Sequence, residues 1–84
     1  MNPEATESSG SVREAVASNP TTPEDTLRLL GNETTESVGD VRAAVARNLN
    51  TSVDVLRTLG NEATESEGYV RATAKSALAA RGLT

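Results

Sequence analysis

Eighty-four residues make one small domain, near the size at which a single core becomes marginal, with no room for a second. Twelve of the thirty apolar residues are Ala, with eight Leu, eight Val, one Met and one Tyr, so the core must be thin, which suits close-packed helices better than a sandwich or barrel. The absence of Cys and His excludes disulfides, thiolate metal sites, cysteine nucleophiles and the commonest general base, and a net charge of −4 argues against nucleic acid as a partner. No apolar run reaches the length of a membrane span, and Met1-Asn2-Pro3-Glu4 is polar and acidic, unlike a secretory signal, so a cytoplasmic, non-membrane protein is expected. Leu and Val together make only 16 of 84 residues, so regular periodicity has to supply the case for folding.

That periodicity is present. Residues 12–40 set over 41–69 align without a gap and share eighteen of twenty-nine positions, from Val12/Val41 and Arg13/Arg42 to Ser37/Ser66 and Gly39/Gly68. Self-similarity at such a period marks a solenoid or array. The expected organisation is a single domain over 1–84: an N-terminal partial unit (1–11), repeat 1 (12–40), repeat 2 (41–69) and a C-terminal capping helix (70–84). In the partial unit, Glu4-Ala5-Thr6-Glu7-Ser8 matches residues 33–37.

Each repeat predicts two helices. In the first, Val12, Ala15, Val16 and Asn19 fall at i, i+3, i+4 and i+7, and Val41, Ala44 and Val45 follow suit. Ser11 and Asp40 are the predicted N-caps, and Asn19 (before Pro20) and Asn48 the ends. The second and shorter helix, α or partly 3₁₀, starts at Thr22-Pro23-Glu24-Asp25 with Thr at the N-cap and Pro at the first helical position; Thr51 and Asp54 keep the cap. Leu27 and Leu30, like Leu56 and Leu59, share a face, and Gly31-Asn32 and Gly60-Asn61 are read as left-handed C-caps. The polar segments 33–39 and 62–68 connect the units, and Asn32 and Asn61 can each cap one further turn there. After Val70-Arg71-Ala72, an Ala-rich helix carries Lys75 and Arg81 toward its C-terminus, where positive charge suits the helix dipole.

The pattern Val-Arg-x-Ala-Val-Ala-x-Asn followed by Thr and Leu-x-x-Leu, in 12–30 and again in 41–59, resembles the leucine-rich repeat variant family. The segment Val70-Arg71-x-x-Ala74-x-x-Ala77-Leu78 is also similar to HEAT and armadillo repeats. The resemblance implies an all-α fold: a short right-handed α-solenoid of tandem 29-residue helical repeats, each an α-helix plus a short α or 3₁₀ helix. The period is longer than the family's usual unit, and the cysteines that accompany an iron–sulfur cluster in one family arrangement are missing, so no cofactor is carried over. The family implies a scaffold rather than a chemistry.

Arg13, Arg42 and Arg71 recur at one register and form a ladder in a stacked array. Such a ladder either grips anions or nucleic acid, or each Arg pairs with an acidic residue of the neighbouring loop, such as Glu36 or Asp40. Glu4, Glu7, Glu33, Glu36, Glu62 and Glu65 are register-matched carboxylates, read either as an exposed stripe for a basic partner or as solubilising helix-end charge. They lack the ligand spacing of a calcium loop and the contrasting environments of catalytic carboxyls, so no metal or catalytic residue is assigned. Variable positions suit recognition: Ser18/Arg47/Ser76, and Tyr69 where the other units have Ser11 and Asp40. No helix precedes Val12 within these residues, so Val12, Val16 and Leu27 are expected to leave apolar surface on the first repeat. The sequence reading is therefore a non-catalytic protein-binding or assembly module that self-associates, as a homodimer, or takes a protein partner through the N-terminal repeat.

Overall fold

The computed structural model describes residues 9–83, which hold five α-helices and no strand: α1 (Gly10–Ser18), α2 (Glu24–Leu30), α3 (Gly39–Arg47), α4 (Val53–Leu59) and α5 (Gly68–Ala80). Residues 1–8, including Glu4 and Glu7, lie outside the described part. Helix α3 packs against α1 on one side and α5 on the other, and α4 packs against α5. This arrangement buries every residue from 41 to 46 in α3, possible for a helix only when neighbours cover more than one face. The core combines Val41, Val45 and Val70 of the longer helices with Leu27, Leu30, Leu56 and Leu59 of the short ones. Small Ala side chains at 43, 44 and 46 let the flanking helices approach α3 closely.

Helix starts differ from the sequence reading. Ser9, not Ser11, caps α1 by accepting from Val12 N, and α3 begins at Gly39 after Val38, with Asp40 inside the first turn. The entry to α3 is held instead by the Glu36 carboxylate, which accepts from Val38 N at 3.0 Å. Thr22 and Thr51 are not N-caps either. Their hydroxyls donate to Val16 O (2.5 Å) and Val45 O (2.6 Å) near the ends of α1 and α3, carbonyls that also accept from Asn19 N and Asn48 N. Ser52 caps α4 by accepting from Val55 N, and Pro23 precedes α2 without a side-chain cap. Asn19 and Asn48 do end the first helices, in extended conformation.

Gly31 and Gly60 are not left-handed: their φ values are −101° and −89°. Gly31 is required by space, since a Cβ there would lie 2.6 Å from Val55 Cγ1 and 2.9 Å from Leu27 O. The one positive φ among the described residues is at Gly82 (74°), where Leu83 N donates to Leu78 O and Gly82 N to Ala79 O in a Schellman closure of α5. Helix α5 outlasts α1 and α3 because the terminating pattern Asn19-Pro20-Thr21-Thr22, kept as Asn48-Leu49-Asn50-Thr51, is replaced by Ala77-Leu78-Ala79-Ala80. No third helix forms between α2 and α3. Asn32 starts a single turn, closed by Glu36 N donating to Asn32 O at 2.8 Å, and Asn61 with Glu65 repeats it.

Side-chain bonds also join one unit to the next. The buried Asn48 amide donates to Ala17 O and Asn19 O. One unit on, the Arg81 guanidinium fills this role, donating to Thr51 O, Asn48 O and Leu49 O.

Thr26 is fully buried, and its Oγ1 has no hydrogen-bond partner. The matching position of the second repeat is Val55. Thr26→Val is therefore expected to stabilise the fold by about 1 kcal/mol, read as a thermal midpoint raised by roughly 4 to 8 °C; an unchanged or lowered midpoint contradicts this assignment.

Candidate functional site

The ladder arginines sit near the starts of α1, α3 and α5, and the turn after each short helix delivers a glutamate to the preceding rung. Arg13 Nε and Nη2 donate to Glu36 Oε1 (2.6 Å) and Oε2 (3.0 Å). Arg42 Nε and Nη2 donate to Glu65 Oε1 (2.6 Å) and Oε2 (2.8 Å). Each glutamate also accepts the backbone N–H two residues on, from Val38 and from Glu67. Arg42 Nη1 donates to Glu36 O and Arg71 Nη1 to Glu65 O, each at 2.8 Å. The result is one continuous relay, Arg13 to Glu36 to Arg42 to Glu65 to Arg71, along which every junction between consecutive units is fastened.

A fork-on-carboxylate pair is strong because both groups are charged and both bonds align. Burial takes the two ions from water at considerable cost, so such a pair holds only when their remaining donors and acceptors are filled. The Arg42 and Glu65 side chains are almost wholly buried, and the backbone partners supply those contacts. Hydrogen bonding to Glu65, prevailing over desolvation, holds the Arg42 guanidinium protonated even more firmly than in water.

Two rungs of the ladder are thus engaged within the chain, and a polyanion would have to displace Glu36 and Glu65 to reach them. The glutamates, read either as a stripe for a basic partner or as solubilising charge, are exposed only in part. Glu36 and Glu65 are buried because the Asn32 and Asn61 turns aim them at the arginines, while Glu33 is half-buried and accepts from Ser66 N. Glu62 is exposed and lines a cleft of about 510 Å³ with Arg57, Asn61, Arg71, Lys75 and Leu78. Arg47 is exposed beside Leu49 and Arg81 on a second cleft between α3 and α5.

Tyr69 covers the start of α3. Its hydroxyl lies where a Gly39 Cβ would be and donates to Asp40 Oδ1 at 3.3 Å, leaving the residue about half exposed. Burial, then the Asp40 carboxylate, push its phenol pKa up.

The apolar surface on the first repeat is real at Val12, 45% exposed, and at exposed Ala15, with Val16 half-buried. Leu27, expected with them, is instead fully buried in the core. Leu49, 88% exposed, passed unnoticed in the sequence; it stands where the first repeat has Pro20. Arg81 was also missed as an inter-unit donor, although the loss of Asn at position 77 signals that another residue must serve those carbonyls.

Residues 11–32, which hold α2 and all of α1 but Gly10, match the family model described as leucine rich repeat variant. Comparison with curated proteins and with solved structures finds no match. Among the described residues, no helix is long and apolar enough to cross a membrane.

Arg42→Met, which leaves the Glu65 carboxylate buried without its counter-charge, is expected to lower the free energy of unfolding by about 3 to 5 kcal/mol in chemical denaturation. Arg13→Met should cost less, because 14% of the Arg13 side chain reaches solvent against 3% for Arg42. Equal costs for the two would contradict this ranking.

Proposed function

We propose that the chain is a non-catalytic protein-binding or assembly module of the cytoplasm, built as a short right-handed solenoid of 29-residue units. The observation that carries this reading is the contrast between register-matched residues: Val41 is 0% exposed and Val12 is 45% exposed, although both belong to the same helical seam. A seam that buries its members in one unit and presents them to water in another is an interaction surface whose occupant is a protein. Two further points support a scaffold. The distinctive recurring polar residues, Arg13, Glu36, Arg42, Glu65 and Asn48, spend their bonds inside the stack, and the family matched by residues 11–32 is a structural repeat. Such a module recognises its partner by surface rather than by chemistry.

Val12→Asp tests the reading. Because Val12 is partly exposed, the variant should melt within about 0.5 kcal/mol of the parent. Sedimentation velocity should show concentration-dependent self-association of the parent chain that the variant loses. Association unaffected by Val12→Asp would contradict the assignment of this face.

A further inference from the structure

The rung pattern is complete at Arg13 and Arg42 and half-complete at Arg71. Arg71 Nη1 donates to Glu65 O, as Arg42 Nη1 donates to Glu36 O. Its Nε and Nη2, the atoms that hold a glutamate on the other two rungs, have no partner among the described residues. Arg71 lines the cleft with Arg57 and Lys75, three cations against the single carboxylate of Glu62. The site is therefore shaped and charged for a carboxylate delivered from a turn like those at 33–36 and 62–65.

The sequence carries a third copy of the segment that makes that turn. Residues 4–10, Glu-Ala-Thr-Glu-Ser-Ser-Gly, match residues 62–68, Glu-Ala-Thr-Glu-Ser-Glu-Gly, at six of seven positions, and Glu7 holds the register of Glu36 and Glu65. Burial along the helices complements this. On α3, Val41, Ala44 and Val45 are buried, as are Arg42, Ala43 and Ala46. On α1 the first set surfaces, with Val12 and Ala15 exposed and Val16 half-buried; on α5 the second set surfaces, with Ala72 and Lys75 exposed and Arg71 half-buried. Each terminal helix thus shows the face that the other lacks a neighbour for.

We infer that a second copy of this chain docks head to tail, its Glu7 carboxylate closing the rung on Arg71 and its α1 lying along the Arg71, Ala72 and Lys75 side of α5. The inference rests on the assembly reading above and names its partner. The two acidic side chains Glu4 and Glu7 approach the cationic cleft, and the apolar seam of α1 is covered in the same step. Because the two patches differ, the contact is heterologous and repeats from copy to copy, giving open chains rather than closed pairs. Salt weakens the association by screening the rim charges.

Charge reversal separates this contact from any other. In sedimentation velocity the 84-residue chain should form dimers and longer species as concentration rises, while Arg71→Glu and Glu7→Arg should each stay monomeric. An equimolar mixture of the two variants should associate again, since the first keeps Glu7, the second keeps Arg71, and the two reversed charges are opposite in sign where they meet. Thermal melts verify that both fold. Should Arg71→Glu fail to fold, a synthetic peptide of residues 2–11 titrated into the Glu7→Arg chain should bind saturably, and its Glu7→Gln form about tenfold more weakly or worse. A parent chain that stays monomeric, a mixture that does not pair, or a peptide whose affinity ignores Glu7 would overturn the inference. Association that survives both charge reversals but disappears in Val12→Asp would overturn it too, while leaving the apolar-face reading intact.

Discussion

The buried pairing of Arg42 with Glu65, and its partly exposed counterpart between Arg13 and Glu36, pin the turn that closes each unit against that unit's first helix, and Arg42 Nη1 on Glu36 O and Arg71 Nη1 on Glu65 O carry the tie across to the next unit. A stack of Ala and Val helices slides easily, because small side chains make shallow ridges and few deep contacts fix the offset. The forked ion pair removes that freedom. Its two bonds align only at one separation and rotation, and a slip would strand two charges away from water. The bonds of Asn48 to Ala17 O and Asn19 O act in the same sense at the opposite ends of the helices. Hydrophobic burial supplies cohesion, and these polar contacts determine which of many similar packings is adopted.

That division of labour explains what the sequence disclosed. The helices and their order were legible because Val12, Ala15, Val16 and their counterparts keep a helical period, and Asn19 and Asn48 end the longer helices as read. The cap residues were not, because the cues are local and the outcome was decided by neighbours in space. Thr22 and Thr51 look like N-caps, yet their hydroxyls turn backward to the Val16 and Val45 carbonyls near the preceding helix end. Gly31 looks like a left-handed terminus, yet it is glycine because Val55 leaves no space for a Cβ.

The candidate site was legible by residue and not by role. Arg13 and Arg42 stood out by recurrence, and pairing with Glu36 was one of the two readings open. Nothing in residue identity separates Glu33 from Glu36, since both recur at the same spacing; the turn begun at Asn32 turns one inward and leaves the other nearer water. The surfaces at the two ends emerge only from comparing exposure between matched positions, a quantity the sequence does not contain.

A double-mutant cycle tests the central claim most directly: unfolding free energies of the parent, Arg42→Met, Glu65→Met and the combined variant, by chemical denaturation. If the pair locks α3 to the turn that leads into α5, the two losses overlap, and the combined variant is more stable than their sum by about 2 kcal/mol or more. Losses that add to within about 0.5 kcal/mol would mean that the two side chains contribute independently, and the ion pair would not be what holds the stack in register.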